Sequence, residues 1–223
     1  MRKWGFRAFG ASIKGPRKAH NQDAYTIKRY KGQLVAVVCD GLGSKLHSQK
    51  GSFTLCESVL EVLKVFDCER HNLKFFAPLL ATLWACRLHP LKLEDCLSTL
   101  QIAILTESKI YLGKVGDGEI VICGAREEIL REVKEGPAHK TMPFNQDTPI
   151  SWHTYNTKDI QGILIYTDGV GEILQESKEL DFARDFLKAC KRDKSPQEIF
   201  VQSLKNVNLK SSDDKTLIAL FKE

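Results

Sequence analysis

Two segments far apart in the chain constrain it most. "QLVAVVCDGLGS", Gln33 to Ser44, and "GILIYTDGVGEIL", Gly162 to Leu174, each run through consecutive buried-type residues and then stop at Asp-Gly. Such short, continuous apolar runs bounded by a break read as strands deep in a core. Asp-Gly pairs commonly make simple turns. Here, however, each pair leads into a helix-like segment and not into a returning strand. That arrangement puts a carboxylate at the rim of a core, beside a glycine that lets other backbone approach closely.

The rest of the chain sorts into alternating groups of elements. After "DGLGS", Phe53, Cys56, Leu60, Leu63 and Phe66 recur at helical spacing, and Leu73, Phe76, Leu80 and Leu83 do so again. Strand-like pieces follow at Leu100, Ile102 and Ile104, then "KIYLGKV" and "EIVICG", with Gly116-Asp117-Gly118 as a tight-turn signal between the last two. Residues Gly124–Asp159 predict loops with short edge strands. Beyond the strand Ile163–Thr167 come two more helical patterns. One carries Leu180, Ala183, Leu187 and Cys190; the other opens with Ser195, Pro196 and Glu198 as a capping box. "KTLIALF" closes the chain as a strand. The segregated order of strands, two helices, strands, two helices and a strand excludes regular βαβ alternation. It predicts an α+β fold with helical pairs packed over antiparallel sheets.

Composition narrows the function classes. The 223 residues, 43% hydrophobic and 27% charged, suit a single ordered domain spanning 1–223. The longest apolar stretch, Phe75–Cys86, is too short for a bilayer, is interrupted by Pro78, and reads as a buried helix. The N-terminal "MRKWGFRAFG" lacks a signal-peptide core, and seven cysteines without a C-x-x-C pair point to reduced thiols in the cytoplasm. The net charge of +5 comes from scattered basic residues, which favours an anionic small partner over nucleic acid.

The acids then become informative as a set. Asp23 in "NQDAY" precedes a strand, Asp40 and Asp168 each end one, and Asp213-Asp214 immediately precede the last. If Asp23, Asp40, Asp168 and Asp213 converge, each pair about 4 Å apart repels by roughly 4 kcal/mol at an effective dielectric near 20. Two divalent cations would cancel that charge, and all-oxygen ligands select Mg²⁺ or Mn²⁺ over zinc or copper. A pair of such ions activates water and clamps a phosphoryl group, as phosphatases and nucleases both require.

"GASIKGPRKAHNQDAY", "VVCDGLGSKLHSQKGS", "KVGDGEIVI", "LIYTDGVGE" and "SSDDKTLIAL" occur in the order found in metal-dependent serine/threonine phosphatases of the 2C type. The chain resembles a compact bacterial subgroup of that family over nearly its whole length. The resemblance implies a β-sandwich of two antiparallel sheets flanked by pairs of antiparallel helices. It implies that Asp40 bridges two Mn²⁺ or Mg²⁺ ions, with the Gly41 carbonyl as a further ligand. Asp168 and Asp213 complete the first metal site, and Asp23 supports the second. Asp117 matches the acid that holds a weaker third metal in bacterial relatives, while Asp214 orients a neighbouring ligand. Asp40, Asp168 and Asp213 are accordingly the expected catalytic residues. A phosphate-contacting arginine lies shortly before "NQD" in the family. Arg17 is the candidate here at an uncommon spacing, with Lys14, Lys18 and His20 as alternatives.

The chain departs from many relatives at two positions: Leu42 replaces a histidine proposed as general acid, and Gln22 replaces an acid. "PFNQDTP" repeats the tripeptide but reads as a plain turn, and Cys39 reads as an inert core thiol. The expected activity is hydrolysis of phosphoserine or phosphothreonine by metal-activated water, acting as a cytoplasmic monomer on a phosphorylated protein, the target of a cognate kinase, with no nucleic acid or membrane involved. The competing readings are a catalytically weak phosphatase-fold binding module and a two-metal nuclease.

Overall fold

Strand β3 (Gln33–Asp40) accounts for its own unbroken apolar run. Side chains alternate across a strand, so Leu34, Ala36 and Val38 face one hydrophobic layer while Val35, Val37 and Cys39 face another. Both faces are covered, so polar alternation would be costly. The computed structural model describes residues 5–132, 141–174, 177–192, 198, 201–205 and 211–223.

Two five-stranded antiparallel sheets form the centre. One contains, in spatial order, β1 (Phe6–Ile13), β10 (Lys215–Lys222), β9 (Ile160–Tyr166), β6 (Glu119–Gly124) and β7 (Glu128–Leu130). The other contains β2 (Asp23–Tyr30), β3, β4 (Leu100–Leu105), β5 (Lys109–Val115) and β8 (Ser151–Asn156). Phe6, Val38, Leu112, Ile122, Ile165 and Ile218 belong to the layer between the sheets. Helices α1 (Ser48–Val62) and α2 (Phe76–Leu88) cover the outer face of the second sheet, with Trp84 fully buried and its indole N–H donating to the Gly51 carbonyl at 3.0 Å. Helix α4 (Glu179–Arg192) and helical residues 201–205 cover the first sheet, burying Ala183, Leu187 and Leu204 against Val121, Leu164 and Ala219. The expected sandwich and its flanking helices are present.

Details differ from the sequence expectations where the partner surface decides. The buried face of α1 is Ser52, Leu55, Cys56, Val59 and Val62, and Phe53, expected in the apolar stripe, is 58% exposed. The stripe is rotated because Gly51 and Ser52 pack close to neighbouring backbone. The Phe75–Cys86 helix is buried on one side only, since Phe75, Leu79 and Cys86 are exposed. Gly116-Asp117-Gly118 does not close a hairpin: β5 and β6 lie in different sheets, so the turn carries the chain across the sandwich. The short strands β7 and β8 do sit at sheet edges. Asn145–Asp147 is a turn, with the Asp147 N–H donating to Asn145 Oδ1 at 2.8 Å. Ser195 and Pro196 lie outside the described residues. Among the described residues, no helix is long and apolar enough to cross a membrane.

Candidate active site

Strand register delivers the acids to one end of the sandwich. In the β2–β3 ladder Asp23 lies opposite Asp40. In the other sheet Tyr166 lies opposite both Glu119 and Leu217, so the end of β9 and the starts of β6 and β10 coincide. Asp168 opens the short helix α3 (Asp168–Gly171), Asp117 sits in the crossing turn, and Asp213-Asp214 precede β10. Carboxylate oxygens of Asp40, Asp117 and Asp168 all fall within 4.8 Å of one another. A cavity of about 130 Å³ at this point is lined by these three acids together with Lys18, Thr99 and Asp213, among others.

The glycines after the two strand-end acids now have a physical reason. A Cβ on Gly41 would come within 2.6 Å of the Ser48 carbonyl oxygen, and one on Gly169 would overlap the Asp214 carbonyl. Main chain from distant segments packs directly on these positions, which ties each aspartate to its neighbours. Asp40 is held further by its backbone: its N–H donates to Thr99 Oγ1 at 3.0 Å, and its carbonyl accepts from the Thr99 N–H at 2.7 Å and the Ser98 hydroxyl at 2.8 Å.

Asp23 stands apart from the cavity. It is buried, and its Oδ2 accepts from the hydroxyls of Thr167 at 2.9 Å and Thr216 at 2.7 Å. Its Oδ1 is buried with no hydrogen-bond partner among the described residues, as is Oδ1 of Asp168. Burial, partly offset by the threonine hydroxyls, pushes the Asp23 carboxyl up to about 7, with nearby Asp214 and Asp168 adding to the rise. Burial and the Asp117 charge push Asp168 up to about 6. Asp40 is raised well above the usual carboxylate range, first by burial and then by the charges of Asp23 and Asp168.

One cation already enters this group. Lys18 Nζ lies 2.6 Å from Asp213 Oδ1 and 4.0 Å from Asp214 Oδ2, and donates to Gln22 Oε1 at 3.0 Å. Burial works against its charge, but Asp213, Asp214 and Asp40 outweigh that and hold its pKa above the ordinary value. Asp214 shapes the loop that carries it: Oδ1 accepts the Gly15 N–H at 2.7 Å and Oδ2 the Gln22 N–H at 2.8 Å. The Gln22 carbonyl in turn accepts from the Gly41 N–H at 3.1 Å and the Ser52 hydroxyl at 2.6 Å.

The structure therefore brings Asp40, Asp117, Asp168 and Asp213 to one cavity and leaves Asp23 behind it, linked through the threonines. Gly41 adjoins Asp40 in an isolated bridge to Ser98. Arg17 is exposed on the turn one residue before Lys18 and does not line the cavity. Sequence reasoning missed Thr167, Thr216, Thr99 and Thr141, whose hydroxyl donates to Asp117. Hydroxyls immediately beside strand-end acids were the available signal. Cys39 is an inert core thiol as expected, since burial raises its pKa well above the usual value.

These residues fit hard divalent cations. The donors are all oxygen, two of them buried and unpartnered, and burial together with the neighbouring acids raises the Asp23, Asp40 and Asp168 carboxyls above the ordinary range. A sequence model of the family described as Protein phosphatase 2C matches residues 15–207. A Mycoplasma genitalium protein provisionally named a protein phosphatase is 27% identical over 216 residues, covering 78% of this chain and 80% of that one. A bacterial serine phosphatase shares the fold with a TM-score of 0.66 at 17% identity, covering 98% of each chain. The serine/threonine phosphatase Stp1 from Staphylococcus aureus gives 0.69 at 16% identity, over 98% of this chain and 95% of that one. RsbX, solved in complex with magnesium, gives 0.63 at 17% identity, over 98% and 96%. Acidic centre, sheet order and family match coincide: the chain belongs to the protein phosphatase 2C family.

Proposed function

We propose that the chain, acting as one domain, hydrolyses phosphoserine and phosphothreonine in protein substrates with two divalent ions, Mn²⁺ or Mg²⁺. The observation that carries this reading is the meeting of Asp40, Asp117 and Asp168 within 4.8 Å, in a cavity that also admits Asp213. Asp40, Asp168 and Asp213 would hold the ions, with support from Asp23 and the Gly41 carbonyl. Asp117 serves a weaker third site. The ions, when bound, supply positive charge to the phosphoryl oxygens and a water activated for attack.

The chain's own residues position and balance that chemistry. The threonine hydroxyls hold one oxygen of Asp23 and leave the other open. Asp214 clamps both ends of the 15–22 loop and so aims Lys18 into the cavity. Several carboxylates leave two cations with little net charge, so a dianionic phosphate gains from a fixed protein cation. Lys18 supplies it from within the cavity, and Arg17, one residue away, adds a second cation from the exposed turn. Leu42 lines the cavity and offers no proton to the leaving serine or threonine oxygen. The seven free thiols suit a reducing cytoplasm.

The test is an assay of purified protein on a phosphothreonine peptide, a generic aryl phosphate and DNA, with Mn²⁺, with Mg²⁺ and with chelator. Phosphate release from the first two that stops with chelator is the expected result. Cleavage of DNA alone, or phosphate release indifferent to chelator, would overturn the reading.

A further inference from the structure

A second cavity, of about 630 Å³, opens beside the acidic one. Its lining includes Leu46, His47, Lys50, Phe53, Tyr25 and Asp23. Leu46 is 79% and Phe53 58% exposed. Single exposed apolar side chains are ordinary, but these two share one concave opening. Lys50 and Phe53 are three apart on α1 and so present the same helical face. Lys50 is exposed and makes no ion pair among the described residues. Among the described residues, the only acid in the lining is Asp23, buried, with one oxygen taken by Thr167 and Thr216. The mouth of the groove is therefore apolar and cationic.

The two cavities are also continuous along the chain. Leu42 and Gly43 line the acidic cavity, and Leu46 and His47 line the groove. Gly43 and Leu46 are three residues apart, at most about 10 Å of extended chain. An extended peptide bridges that span in about three residues. We propose that this groove seats the stretch of the phosphoprotein flanking the phosphorylated residue, with a bulky apolar side chain against Leu46 and Phe53 and an acidic side chain on Lys50. The inference rests on the phosphatase reading above and adds a substrate preference to it: acidic and apolar residues about three positions from the phosphate.

Binding is measured by fluorescence anisotropy with Mn²⁺ present, using two labelled peptides that carry a phosphonate analogue of phosphothreonine resistant to hydrolysis. One has Asp and Leu in both flanks, the other Lys and Ser. The acidic, apolar peptide is expected to bind at least tenfold tighter. Lys50→Glu and Phe53→Ser should each erase most of that preference while leaving turnover of an aryl phosphate within twofold. Equal binding of the two peptides, or a preference that survives both substitutions, overturns the proposal. So does a dimer in light scattering that either substitution dissolves, because the groove would then be occupied by a second copy. If no phosphate ester is hydrolysed at all, the phosphatase reading falls, while the binding preference still decides the groove.

Discussion

The layer between the two sheets and the acidic end of the same sheets are built from the same strands on opposite principles. Between the sheets, Val38, Ile122, Ile165 and Ile218 are wholly buried in an apolar layer. At the end, Asp40, Asp117, Asp168 and Asp213 are gathered although they repel, with a buried oxygen of Asp168 left unpartnered. The apolar part stabilises the fold and has no other task. The acidic part is a standing cost to the fold without cations, tolerated because rigid strands on both sides hold it. Stability and function are thus separable within a few residues along β3.

That separation is open to attack from either side, and the largest effect lies on the acid side. Asp40→Asn or Asp213→Asn should lower turnover of a phosphothreonine peptide by at least about a thousandfold, about 4 kcal/mol of transition-state stabilisation. Melting of the metal-free variants should stay level or rise, because like charge is removed. Trp84→Ala should behave in reverse, losing about 3–5 kcal/mol of stability from a fully buried site with turnover per folded molecule retained. Near-normal turnover by either Asn variant, measured at saturating Mn²⁺, would dissolve the distinction.

Cations should relieve the acid end specifically. Mn²⁺ at a hundredfold excess over its dissociation constant stabilises by about 2.7 kcal/mol if it binds only the folded state, read as an upward shift in melting that chelator reverses. The metal-free protein should also respond to pH. Asp23 at about 7 and Asp168 at about 6 both stand above the ordinary value of 3.8. The folded state then binds more protons than the unfolded between about pH 4 and 7, so stability falls as pH rises through that window. Thermal melts across this range should show the decline without metal and a weaker one with Mn²⁺. A flat profile in both would mean that the Asp23 and Asp168 carboxyls are not raised in the folded state.

The smallest expected effect separates the two neighbouring cations. Lys18→Ala should raise KM for a phosphopeptide by about tenfold, the loss of one charge-assisted contact, with Mn²⁺ affinity equal or higher since Asp213 is freed from its ion pair. Arg17→Ala should raise KM less, because its side chain leaves the cavity. The opposite order in steady-state kinetics would return the anchor to Arg17.

Much of this was legible in residues 33–44 and 162–174. Strands covered on both faces must be apolar throughout, so β3 and β9 announce themselves, and an acid followed by glycine at their ends is conspicuous. The order of elements likewise excluded alternating βαβ units. Less legible was anything depending on which surface meets which. The helical spacing of α1 admitted two rotations, and close packing of Gly51 and Ser52 selected the one that exposes Phe53. Turn chemistry at Gly116-Asp117-Gly118 is local, and nothing local tells a hairpin from a passage between sheets. Lys18 and Arg17 are adjacent and chemically similar in charge, so no pattern ranks them. Their directions follow from Asp214, almost two hundred residues later, binding the Gly15 and Gln22 amides.

The sequence by itself determined the strands, their acidic ends and the family, because burial on two faces and ordered motifs are written in neighbouring residues. The tertiary structure decided which acids share a cavity, which cation enters it and which face of α1 stays open, because distances between segments remote in sequence arise only when the two sheets and their helices pack.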